Sequence, residues 1–186
     1  THVRTNHNVE DAYFGKDLLQ VLKENGYTTA LSGKNHTYLT QDDFNDWFEV
    51  SHSGGNDPNK TEQEILFDQY LTDLRHRTDP QPTPFPVECQ CAYRAVSHAK
   101  QWIDTLDGKS PFFLWLSFPE PHNPYQVPEP YFNMFPPENL PPNDSIAQDG
   151  EKKGFKYRWI RKMWEKTIKG FQDTIPRTRS NYCGML

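Results

Sequence analysis

Two short stretches carry residue types suited to acid–base and oxyanion chemistry. Lys34 and His36 stand two apart in Gly33-Lys34-Asn35-His36, and His122 stands in Pro121-His122-Asn123-Pro124. A lysine supplies a fixed positive charge for an oxyanion, and a histidine two residues on can donate or accept a proton. If the chain is still extended there, residues two apart point to one face. Gly33 lets the backbone pass close to a neighbour. Prolines on both sides of His122 restrict its loop and hold the imidazole in place. One lysine and two histidines suit a pocket for a tetrahedral oxyanion with its own acid and base. The plainer roles are a solvated loop lysine and a turn histidine bonded to backbone.

The elements that must position these residues are legible on either side of them. Phe112 to Phe118 (FFLWLSF) is the most apolar run, short, aromatic and bounded by Pro111 and Pro119. It reads as a strand buried on both faces, as in a parallel sheet covered by helices. Asp11 to Asn25 carries Phe14, Leu18, Leu19 and Leu22 at helical spacing, Gly26 stops it, and Tyr27 to Ser32 (YTTALS) reads as a second strand. Lys34 and His36 lie just past one carboxyl end and His122 just past the other, which is where open α/β sheets bind ligands. In one parallel sheet the three groups converge on one edge. Thr61 to Arg77 reads as a helix opened by a capping box of Thr61 and Glu64. Glu88 to Leu106 reads as another, with Ala92, Ala95, Val96, Ala99, Trp102, Ile103 and Leu106 as its buried stripe. Residues 37–60 read as a long loop around Phe44, Trp47 and Phe48, and residues 125–145 as irregular structure. Phe155 to Phe171 reads as one basic amphipathic helix, and Ser180 to Leu186 as the start of the next.

Composition bounds the rest. The chain has 186 residues, a mean hydropathy of −0.90 and 34% hydrophobic residues, thin for a self-sufficient core, yet 14% are aromatic, which argues against disorder. A single partial domain over residues 1–186, part of a larger one, fits best. Residues 151–179 hold ten Lys and Arg against three Asp and Glu, whereas residues 1–150 hold ten against twenty-two. The net charge of −5 disfavours a nucleic-acid partner, and no apolar run reaches the length of a membrane span. Three cysteines, Cys89, Cys91 and Cys183, indicate neither a disulfide framework nor a zinc site.

The pair GYTTALSGKNH and PFFLWLSFPEPHNPYQVPEPYFNMF resembles the sulfatase family of the alkaline-phosphatase-like superfamily. The family forms are G-Y-x-T-x-x-x-G-K-x-H and, later, P-F-F-L-x-x-S-F-x-x-P-H-x-P, and both order and spacing agree. THVRTNHNV and Arg179-Ser180-Asn181-Tyr182 agree with the flanking segments. The resemblance implies part of an alkaline-phosphatase-like sandwich, α/β, with a mainly parallel central sheet and helices on both faces. It implies that Lys34 binds sulfate and the nucleophile, that His36 contacts the nucleophile's hydroxyl, and that His122 serves the bridging ester oxygen as proton donor or sulfate ligand. It implies a formylglycine nucleophile, a divalent metal with Ca2+ favoured, and an extracytoplasmic setting (periplasmic, secreted or lysosomal). The substrate implied is a sulfated carbohydrate or small sulfate ester.

The departures are as informative. No C/S-x-P-S-R segment, the source of the formylglycine, occurs in residues 1–186, and none of the three cysteines fits one. By the family's order the metal ligands also lie outside, so no residue of this chain is assigned to metal; Asp42-Asp43 is a solvated pair in the wrong place. The rest of the parent catalytic domain is then an expected partner, and the chain alone should lack turnover. His52 is a weaker substrate-binding candidate in a long loop. His2, Arg4 and His7 could line the pocket mouth, and His98 reads as structural. The alternatives are a phosphatase or phosphonate monoester hydrolase of the same superfamily, a non-catalytic anion-binding module, and a purely structural role for the three residues.

Overall fold

The computed structural model describes residues 15–142 and 152–186. They group into two compact units, one built from residues up to Asp73 with Phe85–Glu120, the other from Leu74–Pro84 with Pro121–Leu186.

The first unit is an α/β layer structure. Its sheet holds β1 (Thr28–Gly33), β2 (Asp46–Ser51), β3 (Gly54–Gly55) and β4 (Phe112–Ser117) in the order β3-β2-β1-β4. β1 runs parallel to both β2 and β4, and β3 pairs antiparallel with β2. Side chains alternate across the sheet, so its two faces can be read from the cores they join. Leu31, Trp47, Phe113 and Trp115 pack with Leu19 of α1 (Leu18–Glu24). On the opposite face, Phe48 and Val50 pack with Phe67 and Leu71 of α2 (Glu62–Leu74) and with Cys91 and Ala95 of α3 (Cys91–Asp104). Helices therefore cover both faces.

The local signals explain these elements. Asp17 caps α1, accepting from the Gln20 amide at 2.8 Å, while the Asp17 amide donates back to Gln20. Thr61 and Glu64 form the expected reciprocal box at the start of α2. The residues ahead of Gly15 in the expected first helix lie outside the described residues.

Four expectations change. β4 is not buried on both faces: it is the last strand of the described sheet, and Phe112 and Leu116 stay 45% and 39% exposed. The supposed loop 37–60 holds β2 and β3; Asp46 and Glu49 masked the strand, although Trp47 and Phe48 alternate to opposite cores. α3 starts later than expected, and its buried stripe includes Arg94 but neither Val96 nor Ile103. A buried arginine, held by carboxylates of α2, replaces the apolar residue that periodicity demands.

The second unit is helical and irregular. Besides a short α4 (Tyr131–Met134) it holds α5 (Phe155–Thr167) and α6 (Phe171–Met185). The expected single helix over Phe155 to Phe171 therefore breaks, because Gly170 turns left-handed with φ of 68°. Ser180 to Leu186 closes α6 rather than opening a helix. Asn181, fully buried, donates from one amide nitrogen to the carbonyls of Asp79 and Tyr125, both at 2.9 Å. Those two carbonyls belong to facing strips, 77–83 and 125–127, joined by backbone bonds such as Tyr125 to Arg77 and Thr83 to Val127. Among the described residues no helix is long and apolar enough to cross a membrane.

Candidate active site

Lys34 follows the central strand β1 at its carboxyl end. The Gly33 backbone there, at φ +120°, lies so close to β4 that an added Cβ would stand 1.7 Å from the Ser117 carbonyl oxygen. Only glycine permits that approach. It lets the Lys34 amide donate to the same carbonyl at 2.9 Å, which carries the β1–β4 pairing one residue beyond the strand. Lys34 is thus held by its backbone, while its side chain is half-buried.

The Lys34 ammonium meets a neighbour from β2. Its Nζ lies 3.4 Å from His52 Nδ1, at the turn between β2 and β3. The ammonium is the donor, so Nδ1 of His52 accepts and any proton of the neutral ring resides on Nε2. Partial burial pulls the Lys34 pKa below its usual value, and the carboxylate of Glu120 pulls it back up. Burial pushes Glu120 above the usual carboxylate range, against the bonds it accepts from its own and the Ala92 amide and against the charge of Lys34. Glu120 Oε1 accepts from Ala92 in the first turn of α3 at 3.4 Å, and its buried Oε2 has no hydrogen-bond partner among the described residues. Lys34, His52 and Glu120 form one charged cluster at the carboxyl end of the sheet.

His36 lies exposed in the loop that leaves Lys34. The chain does not stay extended, so the same-face argument for Lys34 and His36 fails. Asn35 instead folds the loop: its Oδ1 accepts from the Thr37 amide at 2.9 Å and the Thr37 hydroxyl at 2.8 Å, and its Nδ2 donates to the Leu39 carbonyl at 2.8 Å. Tyr38 ties the loop to α1, donating to Asp17 at 2.5 Å. Burial, then this bond, raises the Tyr38 pKa to about 12, and the same bond lowers that of Asp17. His36 therefore sits in a braced turn rather than on a strand extension.

His122 belongs to the second unit and is exposed. Its Nδ1 donates to the Asn123 carbonyl at 2.6 Å. The Asn123 side-chain Nδ2 donates to His76 Nδ1 at 2.9 Å, Asn123-Pro124 is cis, and the Tyr125 backbone amide donates to the Arg77 carbonyl. The loop is thereby fastened to residues 76–77.

The structure brings together Lys34 and His52 and adds Glu120, a residue not singled out from sequence. Its signal was present: an acid between Pro119 and Pro121, directly after the most apolar strand. Asp43 accepts from the Thr40 amide in a short 3-10 turn, a local structural role. His2, Arg4 and His7 lie outside the described residues. Among the described residues no group of three or more His, Cys, Asp or Glu side chains is arranged to hold a metal ion.

Comparison with known proteins bears on this arrangement. The chain is 31% identical over 132 residues to an uncharacterized sulfatase of Schizosaccharomyces pombe, an alignment covering 63% of this chain and 23% of that protein. In structure it resembles the phosphonate monoester hydrolase of Agrobacterium radiobacter with a TM-score of 0.57 and 17% identity, over 91% of this chain and 40% of that one. The chain thus spans under half the length of these relatives. The second likeness shows the fold, an alkaline-phosphatase-like α/β architecture with a mostly parallel sheet. The family model described as Sulfatase matches residues 3–186, and so the chain belongs to the sulfatase family.

Proposed function

We propose that the protein carrying this chain is a sulfuric ester hydrolase, and that these residues form the sulfate-binding side of its active site. The observation that carries the proposal is the Lys34 ammonium at the carboxyl end of the central strand, in contact with His52 and beside Glu120. Lys34 binds a sulfonate oxygen and stabilises charge that builds there at the transition state. His52 orients the ammonium and contacts the substrate. His36 meets the hydroxyl of the nucleophile and removes its proton when the sulfated intermediate breaks down. His122 serves the bridging ester oxygen as proton donor or sulfate ligand as the ester bond breaks.

The nucleophile in this reading is a formylglycine outside residues 1–186. A divalent metal, with Ca2+ favoured, belongs to the same expectation. Its ligands are expected outside residues 1–186, and no step above runs through it. The chain by itself has no turnover, and the setting is extracytoplasmic. The substrate is a sulfated carbohydrate or small sulfate ester.

Peptide-mapping mass spectrometry of the full-length protein tests the proposal. A formylglycine, or a Cys/Ser-x-Pro-x-Arg peptide able to form one, is the expected result. A threonine or an unmodified serine as nucleophile would move the reading to phosphoryl transfer, and the absence of any nucleophile would leave an anion-binding module.

A further inference from the structure

His122 lies in a loop that a second histidine helps to hold. α2 ends at Leu74, and the Arg77 amide returns to the Leu74 carbonyl at 3.0 Å, so residues 74–77 close a tight turn. The Arg77 side chain braces the turn, its Nε donating to the same carbonyl at 3.1 Å. Arg75 is left-handed there, with φ of 55°. That conformation is costly for a residue with a Cβ and persists where the surrounding contacts fix it. His76 follows directly and is exposed.

The contacts run in series from His76 to His122. Asn123 Nδ2 can only donate, so His76 Nδ1, 2.9 Å away, is the acceptor. The Asn123 backbone carbonyl can only accept, so His122 Nδ1, 2.6 Å away, carries a proton. Asn123 thus bonds both imidazoles, His76 through its side chain and His122 through its carbonyl. Two positions on, the Tyr125 amide donates to the Arg77 carbonyl at 3.1 Å. The Tyr125 carbonyl accepts from the Asp79 amide at 3.0 Å and from the buried Asn181 at 2.9 Å. Past Pro124 the loop is therefore fixed by backbone bonds and a buried side chain. Ahead of Pro124 the fastening is the His76–Asn123 bond, which lies at the surface. Water competes for such a bond, so its net contribution to stability is small. What it sets is geometry.

We propose that His76 is a positioning residue for His122: by fixing the Asn123 side chain it holds the carbonyl that sets the orientation and tautomer of the His122 ring. The inference rests on the reading that His122 serves the bridging ester oxygen. A proton donor or oxyanion ligand acts only within hydrogen-bond reach of its target, and a displacement of about 1 Å can cost about a hundredfold in rate. His76 acts through Asn123 and needs no contact with the ester. Its requirement is one acceptor at the Nδ1 position, which an asparagine oxygen can supply and a leucine cannot.

The test compares His76→Leu, His76→Asn and His122→Gln in the full-length protein, with histidine labelled at Cε1 for NMR. Hydrolysis of phenyl sulfate, whose leaving oxygen needs a proton, is read beside the His122 resonance and the melting curve; His122→Gln identifies that resonance. His76→Leu should shift the His122 resonance and lower kcat/KM about tenfold while the melting curve stays in place. His76→Asn should restore both. Full activity of His76→Leu, an unmoved His122 resonance in that variant, or an equal loss in His76→Leu and His76→Asn would each overturn the proposal. His122→Gln keeps two failures apart. If it removes turnover while His76→Leu keeps it, the positioning role alone falls. If it leaves turnover intact, the reading of His122 falls and the positioning role with it.

Discussion

Replacing Gly33 with alanine tests how the fold places Lys34. A Cβ on Gly33 would stand 1.7 Å from the Ser117 oxygen, where real Cβ atoms keep at least 3.0 Å, so β1 and β4 must separate locally by about 1.3 Å. The Lys34 amide, now 2.9 Å from that oxygen, would then leave hydrogen-bonding range. The lost bond costs about 1 kcal/mol, and an alanine held at φ +120° about 1–3 kcal/mol more, so about 2–4 kcal/mol in all. Gly108→Ala is the control: its φ is +70°, but nothing lies within 4 Å of the added carbon, so it bears only the conformational cost of about 1–2 kcal/mol. Hydrogen–deuterium exchange of the full-length protein, read over residues 28–34 and 112–117, reports the difference. Gly33→Ala should lose protection there by about thirtyfold to several hundredfold. Gly108→Ala should leave these peptides alone. Equal protection in the two variants, with unchanged sulfate affinity, would refute the reasoning that this approach holds the site.

Further expectations concern charge. Glu120 raises the pKa of Lys34, so Glu120→Gln should move the alkaline loss of sulfate binding to lower pH, read from KM against pH. The carboxyl of Glu120 is itself held above 4.5, so the folded chain takes up its proton before the unfolded chain does. Its stabilising share therefore grows as pH falls from above that raised value towards 4.5, and the melting advantage of Glu120→Gln at neutral pH should shrink on acidification. Arg94→Met leaves Asp68 and Glu64 without their guanidinium; with Lys60 still on Asp68, the cost should be about 3 kcal/mol in denaturant titration. Adding Asp68→Asn should recover part of it, and a neutral Arg94→Met would show that the network contributes nothing. Asn35→Ala removes three loop bonds and should lower kcat through His36 more than it raises KM through Lys34.

The sequence made the helix–glycine–strand unit and the capping box of α2 legible because each rests on residues close in the chain. It also placed Lys34 correctly at the end of a strand, since Gly33 and the β-branched run before it are local signals. The gaps have physical causes. β2 was hidden because charged Asp46 and Glu49 interrupt its apolar residues, and its pairing with β1 is a non-local fact. Arg94 was unreadable as a core residue, since its burial depends on Glu64 and Asp68 a helix away. His52 became meaningful only when pairing of β2 brought it to Lys34. Glu120 was missed because a single acid between prolines looks like a solvated loop until its burial is known. The residues that resist sequence reading are the ones whose environment is made by distant segments.

The central claim is that Lys34 holds the anionic end of a sulfate monoester. Steady-state hydrolysis of p-nitrophenyl sulfate and p-nitrophenyl phosphate by the full-length protein, with and without Lys34→Ala, tests it most directly. The account predicts turnover of the sulfate ester in preference to the phosphate, and a loss of about a hundredfold or more in kcat/KM on removing the ammonium. Preference for the phosphate ester, or sulfate turnover undiminished in Lys34→Ala, would contradict it.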